Sequence, residues 1–285
     1  MLALGFGLTA AILWAVHDLL ARKLSQGSPL LPILVAVMAT GCVVLLPVTF
    51  AVGGWHEMTG AAFGLAVLSG FAIVLAMGCL YKAFSLAPVR LVSPVVGAYP
   101  MLSLGIAMLQ GREVTGADWL AVLAICIGIA IVALSSRGDA PEGYAASPTV
   151  ALGWATLSTI GFALTFALGQ EAARQGSDLP VILISRLVAL ALTLALLAWY
   201  QGSLAPQRGH FPVLALMGAV DALALGLVTA AGGLDRAEYA SVASSLFGVL
   251  TVLLATWFLK EGVRPVQWLG IAAIFAGIGA LSLQG

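Results

Sequence analysis

Trp14, His17 and Asp18 stand three and four residues apart, so on a helix an indole N–H, an imidazole and a carboxylate share one side. Together they can relay a proton or hold the polar end of a ligand. An ionisable group inside an apolar stretch is a functional candidate by default. A neutral histidine hydrogen-bonded within a helix bundle is the equally weighted alternative. Asp18 lies near the end of its stretch, where reaching for the membrane surface also accounts for it. Asp221 lies centrally in another apolar stretch and Arg186 within a third. Either the two form a buried ion pair or Asp221 lines a ligand path. The pair is favoured for Arg186, because an unpaired buried charge is costly. Lys82 and Arg90 flank a turn and are expected to extend to the interface.

A second constellation is Ser93-Pro94-Val95-Val96-Gly97-Ala98-Tyr99-Pro100. Each proline removes an intrahelical hydrogen bond and clashes with the carbonyl four residues back, freeing the carbonyls of Arg90 and Val96. At membrane depth such carbonyls must face protein or a wet cavity. Pro94, Gly97 and Pro100 are therefore expected to form a hinge, with a static kink as the plainer alternative. The matching stretch of the second half is Ser244-Ser245-Leu246-Phe247-Gly248. Gly248 is its hinge candidate, but it lacks a proline, so the two halves are expected to bend differently. Tyr99 is the preferred stacking residue, and Trp14, Tyr81, Phe162 and Phe247 are further aromatic candidates. Tyr81 and Trp154 lie near stretch ends, where interfacial anchoring is the common role. For an amino-acid ligand, the freed carbonyls and Asp221 would accept from the ammonium. His17, Ser244 and Ser245 would donate to the carboxylate. No catalytic residue, metal or cofactor is expected.

These residues need elements to carry them. Of the 285 residues 61% are hydrophobic and only 8% charged, where a soluble domain carries about 25% charged residues. Mean hydropathy is +1.10. A soluble chain could not cover its surface with so few polar groups. Ten stretches reach the roughly 17–25 apolar residues that a spanning helix needs: 3–21, 31–53, 61–85, 88–109, 117–136, 149–172, 179–200, 211–233, 238–259 and 266–283. The first is read as a span rather than a removed signal, since no basic residue precedes it and no cleavage motif follows. The net charge is zero, which gives no reason to expect a nucleic-acid partner. Cys42, Cys79 and Cys126 sit in apolar stretches without ligand spacing and read as small buried hydrophobes.

The two halves resemble each other. Gln26-Gly27-Ser28 matches Gln175-Gly176-Ser177, and Trp119 matches Trp268. Ala121, Ala124 and Gly128 match Gly270, Ala273 and Gly277. Every pair is separated by 149 positions, as 268 less 119 gives. Five helices per half is an odd number, so the second copy must enter the membrane in the opposite sense. The expected fold is an all-α membrane protein of ten transmembrane helices in two inverted five-helix repeats around a central cavity. Residues 1–136 form the first repeat, 137–148 a polar linker and 149–285 the second repeat. The small faces of the fifth and tenth helices are expected to brace the bundle.

The order of motifs resembles the EamA-type branch of the drug/metabolite transporter superfamily. In the first half the resemblance rests on Leu80-Tyr81-Lys82-Ala83-Phe84-Ser85-Leu86-Ala87-Pro88-Val89, the Ser93-to-Pro100 stretch and Glu113. In the second it rests on Ala240-Ser241-Val242-Ala243-Ser244-Ser245-Leu246, Leu259-Lys260-Glu261 and Gln267-Trp268-Leu269-Gly270. It implies alternating access, a central cavity and cytoplasmic termini. Within the branch the chain looks most like the YddG-type exporters of aromatic amino acids. Small multidrug-resistance relatives use a buried glutamate in the first helix, which is absent here. The Lys and Arg residues crowd the odd-numbered loops, with Arg22, Lys23, Lys82, Arg90, Arg137, Arg208, Lys260 and Arg264 against Arg112, Arg174 and Arg236. By the positive-inside rule this favours termini outside, against the resemblance.

The expectation is thus a secondary transporter exporting amino acids, aromatic or otherwise hydrophobic, across the bacterial inner membrane as a monomer in the lipid bilayer. The alternative small-molecule substrate is a nucleotide sugar or a drug-like cation. A channel or an intramembrane enzyme is the rival from another class. Against the enzyme stand the lack of a Gly-x-Ser-x-Gly elbow and the presence of only His17, His56 and His210.

Overall fold

The computed structural model describes residues 2–109, 115–135, 148–200, 202–203, 209–231, 234 and 238–283. The linker at 137–147 and Glu113 lie outside the described residues. Among the described residues all regular structure is helical. The α-helices are α1 (Leu2–Ser25), α2 (Leu30–Val52), α3 (Gly60–Leu86), α4 (Val89–Gly97), α5 (Tyr99–Leu109) and α6 (Gly116–Ser135). They continue as α7 (Pro148–Arg174), α8 (Asp178–Trp199), α9 (Phe211–Ala230), α10 (Glu238–Ser245), α11 (Phe247–Phe258) and α12 (Pro265–Leu283). Helices α1, α2, α3, α7, α8 and α9 are long and apolar enough to cross a membrane. Shorter apolar helices cover Val89–Leu102, Gly116–Val132, Ala243–Phe258 and Pro265–Ala280.

The outer surface confirms the solvent. Trp199 is 82% exposed, Trp257 74%, Leu120 68% and Phe50 67%. They belong to a shell of large apolar side chains that water would not tolerate and lipid does. The helix ends carry polar caps. Thr59 Oγ1 accepts from the Ala62 N–H at 3.0 Å and starts α3. At α6, Asp118 Oδ2 accepts from the Thr115 N–H at 2.8 Å, and Thr115 Oγ1 accepts from the Asp118 N–H at 3.2 Å. Gln267 Oε1 accepts from the Arg264 N–H at 2.9 Å at the start of α12. Positions 264 and 267 are the 149-residue counterparts of 115 and 118, so one cap design is used twice.

Helices pack mainly across the halves, in matched sets. Helix α3 packs on α7 as α1 packs on α9, and α3 on α8 as α2 on α9. Helix α1 packs on α10 and α11 as α7 packs on α4 and α5. Helices α2 and α8 meet each other, as do α6 and α12. Glycine contacts repeat the pattern. A Cβ on Gly70 would sit 2.6 Å from the Ser185 carbonyl oxygen, and one on Gly218 would sit 2.5 Å from that of Val37. A Cβ on Gly128 would meet the Gly270 carbonyl at 2.5 Å, and one on Gly277 the Ala121 carbonyl at 2.7 Å. Small residues thus bring the α6 and α12 backbones into contact, the usual basis of helix association in lipid.

Two of the shorter apolar stretches are split, one in each half, although only the first carries prolines. Helices α4 and α5 part at Ala98, and α10 and α11 part at Leu246. Each break carries the same tight turn. The Ala98 N–H donates to Val95 O at 3.2 Å, and the Leu246 N–H to Ala243 O at 3.2 Å. Two prolines weaken the first helix, but the second breaks without one. What the breaks share is their crossing. A Cβ on Gly97 would sit 3.3 Å from the Ser245 carbonyl oxygen, and one on Gly248 would sit 2.8 Å from that of Ser93. Backbone presses on backbone there, and only glycine leaves room.

The matched Gln-Gly-Ser tripeptides sit at different places. Gln26-Gly27-Ser28 follows the α1 end, whose Arg22 Nη1 donates to Phe84 O near the C-terminus of α3 at 2.6 Å. At the other end of α3, Thr59 Oγ1 donates to Gln175 O at 3.1 Å. Because α3 is one continuous helix, the two tripeptides lie at opposite ends of the bundle.

Candidate functional site

Helix α1 meets α9, α10 and α11 through an alanine-rich face. Close approach of these backbones seals the larger side chains of α1 inside. Trp14, His17 and Asp18 are all buried. Trp14 Nε1 donates to Asp221 Oδ1 at 2.9 Å, and Arg186 Nη2 donates to Asp221 Oδ2 at 2.6 Å. Both carboxylate oxygens of Asp221 are therefore engaged. The ion pair between α8 and α9 that the sequence favours is formed. Arg186 keeps Nε and Nη1 without a partner among the described residues.

His17 stands between two partners. Its Nε2 lies 2.8 Å from Tyr81 Oη, and its Nδ1 lies 3.1 Å from Asp18 Oδ1. The His17 and Tyr81 rings stack at 5.8 Å between centroids. Two readings change here. Asp18 does not extend to the surface; it is 2% exposed and faces His17. Tyr81 does not anchor at an interface; it lies fully inside the bundle.

An aromatic wall faces this polar cluster. Phe166 of α7 lies 5.5 Å from Trp14, 4.9 Å from Tyr99 and 6.0 Å from Phe162, between ring centroids. Phe247, the first residue of α11, lies 6.1 Å from Trp14. Tyr99, the first residue of α5, shares a 2.7 Å hydrogen bond between its hydroxyl and Ser244 Oγ. The two helix breaks are thereby tied to each other and to the aromatic wall. Ser245 is buried on the same turn. Thr159 of α7 donates to Val95 O at 3.0 Å and occupies one carbonyl of the first break.

All nine residues singled out as ligand contacts thus gather around α1, α7 and the split helices, Phe162 being half-buried and the others buried. Phe166 is the residue that the sequence reading missed. It stands 149 positions after His17, so aligning the halves points to it. The same offset pairs Trp14 with Ala163 and Asp18 with Ala167. It pairs Arg186 with Val37 and Asp221 with Ala72. At each of these positions a polar side chain of one half stands where the other half has an apolar one, and both halves contribute polar members.

A third cluster lies at the end of α1. Arg22 Nε donates to Glu261 Oε1 at 3.0 Å, and the Val89 N–H donates to Glu261 Oε2 at 2.8 Å. Lys260 adopts φ 58° after α11. In this left-handed turn the Glu261 N–H reaches back to Ala255 O at 3.3 Å. Glu261 is aimed at the first turn of α4, where a carboxylate suits the helix dipole. Arg90 is 9% exposed, so its expected extension to the interface is also corrected. Among the described residues no group of three His, Cys, Asp or Glu side chains converges as a metal site would require.

Fold and site together define a helical membrane protein with a polar–aromatic cluster near the crossing of two broken helices. The model of the EamA-like transporter family matches residues 1–134 and again residues 149–283. The chain belongs to this family, which is a family of membrane transporters of small metabolites. One solved structure, described only as a crystal structure of protein, superposes with a TM-score of 0.70 at 18% sequence identity. It covers 99% of this chain and 96% of that one, a likeness of fold alone. No curated protein matches the chain.

Proposed function

We propose that the protein is a secondary transporter that carries small amphipathic metabolites by alternating access, with aromatic or other hydrophobic amino acids as the first candidates. The observation that carries this reading is the cluster at the two helix breaks. A buried polar group of Trp14, His17, Tyr81 and Asp221 faces the Phe162–Phe166–Tyr99–Phe247 wall. Such a site suits a ligand with one polar end and one ring. Ser244 and Ser245 supply hydroxyls on the same surface. The architecture behind it is ten spans in two inverted repeats, with residues 1–136 and 149–285 as halves. The double family match, the matched helix pairings and the opposed tripeptides support that arrangement. Broken helices at the midplane where inverted repeats meet are a recurrent transporter design. Pro94, Gly97, Pro100 and Gly248 are the hinges.

Export across the bacterial inner membrane by a monomer is the direction and setting that the likeness to YddG-type exporters supports. Counterflow tests the core of the proposal. The full chain in proteoliposomes preloaded with unlabelled phenylalanine should accumulate labelled phenylalanine, tryptophan or tyrosine. A panel with nucleotide sugars and organic cations ranks other classes. Ion current without exchange would mean a channel. Absence of exchange for every amino acid in the panel would refute the amino-acid reading.

A further inference from the structure

One carboxylate oxygen of the buried cluster is left over. Arg186 and Asp221 neutralise each other, and both Asp221 oxygens have donors. Asp18 has one oxygen on His17 and the other, Oδ2, buried without a partner among the described residues. His17 faces one oxygen of Asp18 through Nδ1 and the Tyr81 hydroxyl through Nε2. Tyr81 has no second acceptor for its hydroxyl among the described residues, so both polar ends of His17 are occupied within the cluster. Asp18 is left with one buried oxygen that no described group engages. A buried carboxylate in that condition is unstable unless a cation or a proton joins it.

The groups around it have other engagements. From α1, Arg22 stands one turn on but is turned to Glu261 and Phe84 O. From α3 comes Tyr81, from α8 Arg186 and from α9 Asp221, the last a second negative charge. The described side chains of α10 and α11 bring hydroxyls, not charges.

We propose that Asp18 Oδ2 is the acceptor for a cationic nitrogen of the cargo, an ammonium group, with His17 as the positioning residue that fixes the carboxylate. This rests on the transport reading above and narrows its substrate class to ammonium-bearing molecules. It also moves the ammonium site from Asp221, which is fully engaged, to a residue one position from His17. The ring of the cargo lies toward Phe166, on the opposite wall.

The test uses the full chain in proteoliposomes and three probes with one ring: L-phenylalanine, 2-phenylethylamine and 3-phenylpropionate. Wild type exchanges the two ammonium-bearing probes and not 3-phenylpropionate. Asp18→Asn lowers exchange of both at least tenfold, while Asp18→Glu keeps a measurable part. Inhibition of phenylalanine exchange by phenylethylamine weakens as pH falls from 8 to 5, because a proton competes for the same oxygen. This pH profile needs no variant and serves if Asp18→Asn fails to fold. The assignment is overturned, with transport intact, by three results. These are unchanged exchange in a folded Asp18→Asn protein, a flat pH profile, or 3-phenylpropionate exchanged as fast as phenylalanine. Exchange of none of the three probes overturns the amino-acid reading and this inference together.

Discussion

Glu261, in the turn between α11 and α12, accepts at once from Arg22 of α1 and from the backbone N–H of Val89 at the start of α4. One carboxylate thus ties three segments from both halves at one end of the bundle. Arg22 is only 2% exposed. Removing either charge alone strands the other in low dielectric, at a cost of about 3–5 kcal/mol for a well-buried pair. Glu261→Ala should lower the melting temperature of the detergent-purified protein markedly. Arg22→Met combined with Glu261→Gln should recover much of the loss.

The crossing of the split helices makes an ordered prediction. A Cβ at Gly248 meets the Ser93 carbonyl at 2.8 Å, whereas one at Gly97 meets that of Ser245 at 3.3 Å. Backbone cannot rotate aside as a side chain can. Gly248→Ala should cost about 1–3 kcal/mol, in the range of overpacked cores, and Gly97→Ala less. Thermal melts of the two variants check the order, and exchange assays should show Gly248→Ala impaired even where the fold survives.

Arg186 and Asp221 should separate stability from transport. Asp221→Ala leaves a buried guanidinium unpaired, and a loss of about 3–5 kcal/mol is expected. The double variant Arg186→Met with Asp221→Leu replaces the pair by apolar volume and should approach wild-type stability. Its exchange activity should remain low, because Trp14 loses the acceptor that orients it. Recovery of exchange together with stability would make the pair structural only.

Phe166 touches Trp14, Tyr99 and Phe162. Phe166→Ala should reduce exchange of aromatic amino acids more than of small ones, by at least tenfold on the ratio of rates. Tyr99→Phe removes one hydrogen bond, to Ser244, and keeps the ring. Its effect on stability should stay near 1 kcal/mol, and aromatic exchange should persist.

The proposed inversion of the halves predicts opposed loops. His56, in the short 3-10 turn between α2 and α3, and Lys260, beside Glu261, lie toward opposite ends of the bundle. Single cysteines placed at each position in a background lacking Cys42, Cys79 and Cys126 should react with an impermeant reagent from opposite sides of a sealed vesicle. The side on which His56→Cys reacts also decides between the two orientations that charge count and family likeness favour.

The sequence made the helices legible because their signal is plain composition: apolar runs of spanning length, separated by turns that hold most of the charge. The helices fall on those ten runs, with two of the runs divided. The break at Ala98 was readable from Pro94 and Pro100. At Leu246 only Gly248 offered a signal, since there is no local proline and the break coincides with a crossing against the distant first break. Asp18 and Arg90 were misplaced for a related reason. Position within an apolar run says how near a residue is to the helix end, but whether it faces lipid or bundle is set by neighbours from other helices. Phe166 escaped notice because a phenylalanine in an apolar span is indistinguishable from packing until the offset with His17 is applied.

His17 and Phe166 occupy equivalent places in the two halves, one on a hydrogen-bonded wall and the other on a ring-lined one. A pair of separate, identical half-length chains would have to furnish the same side chain on both sides. Joining the copies in one polypeptide lifts that restriction, so each wall can specialise. On the proposed transport reading, the passenger would be gripped by head and tail in a defined sense, and the protein would tell a molecule from its reverse.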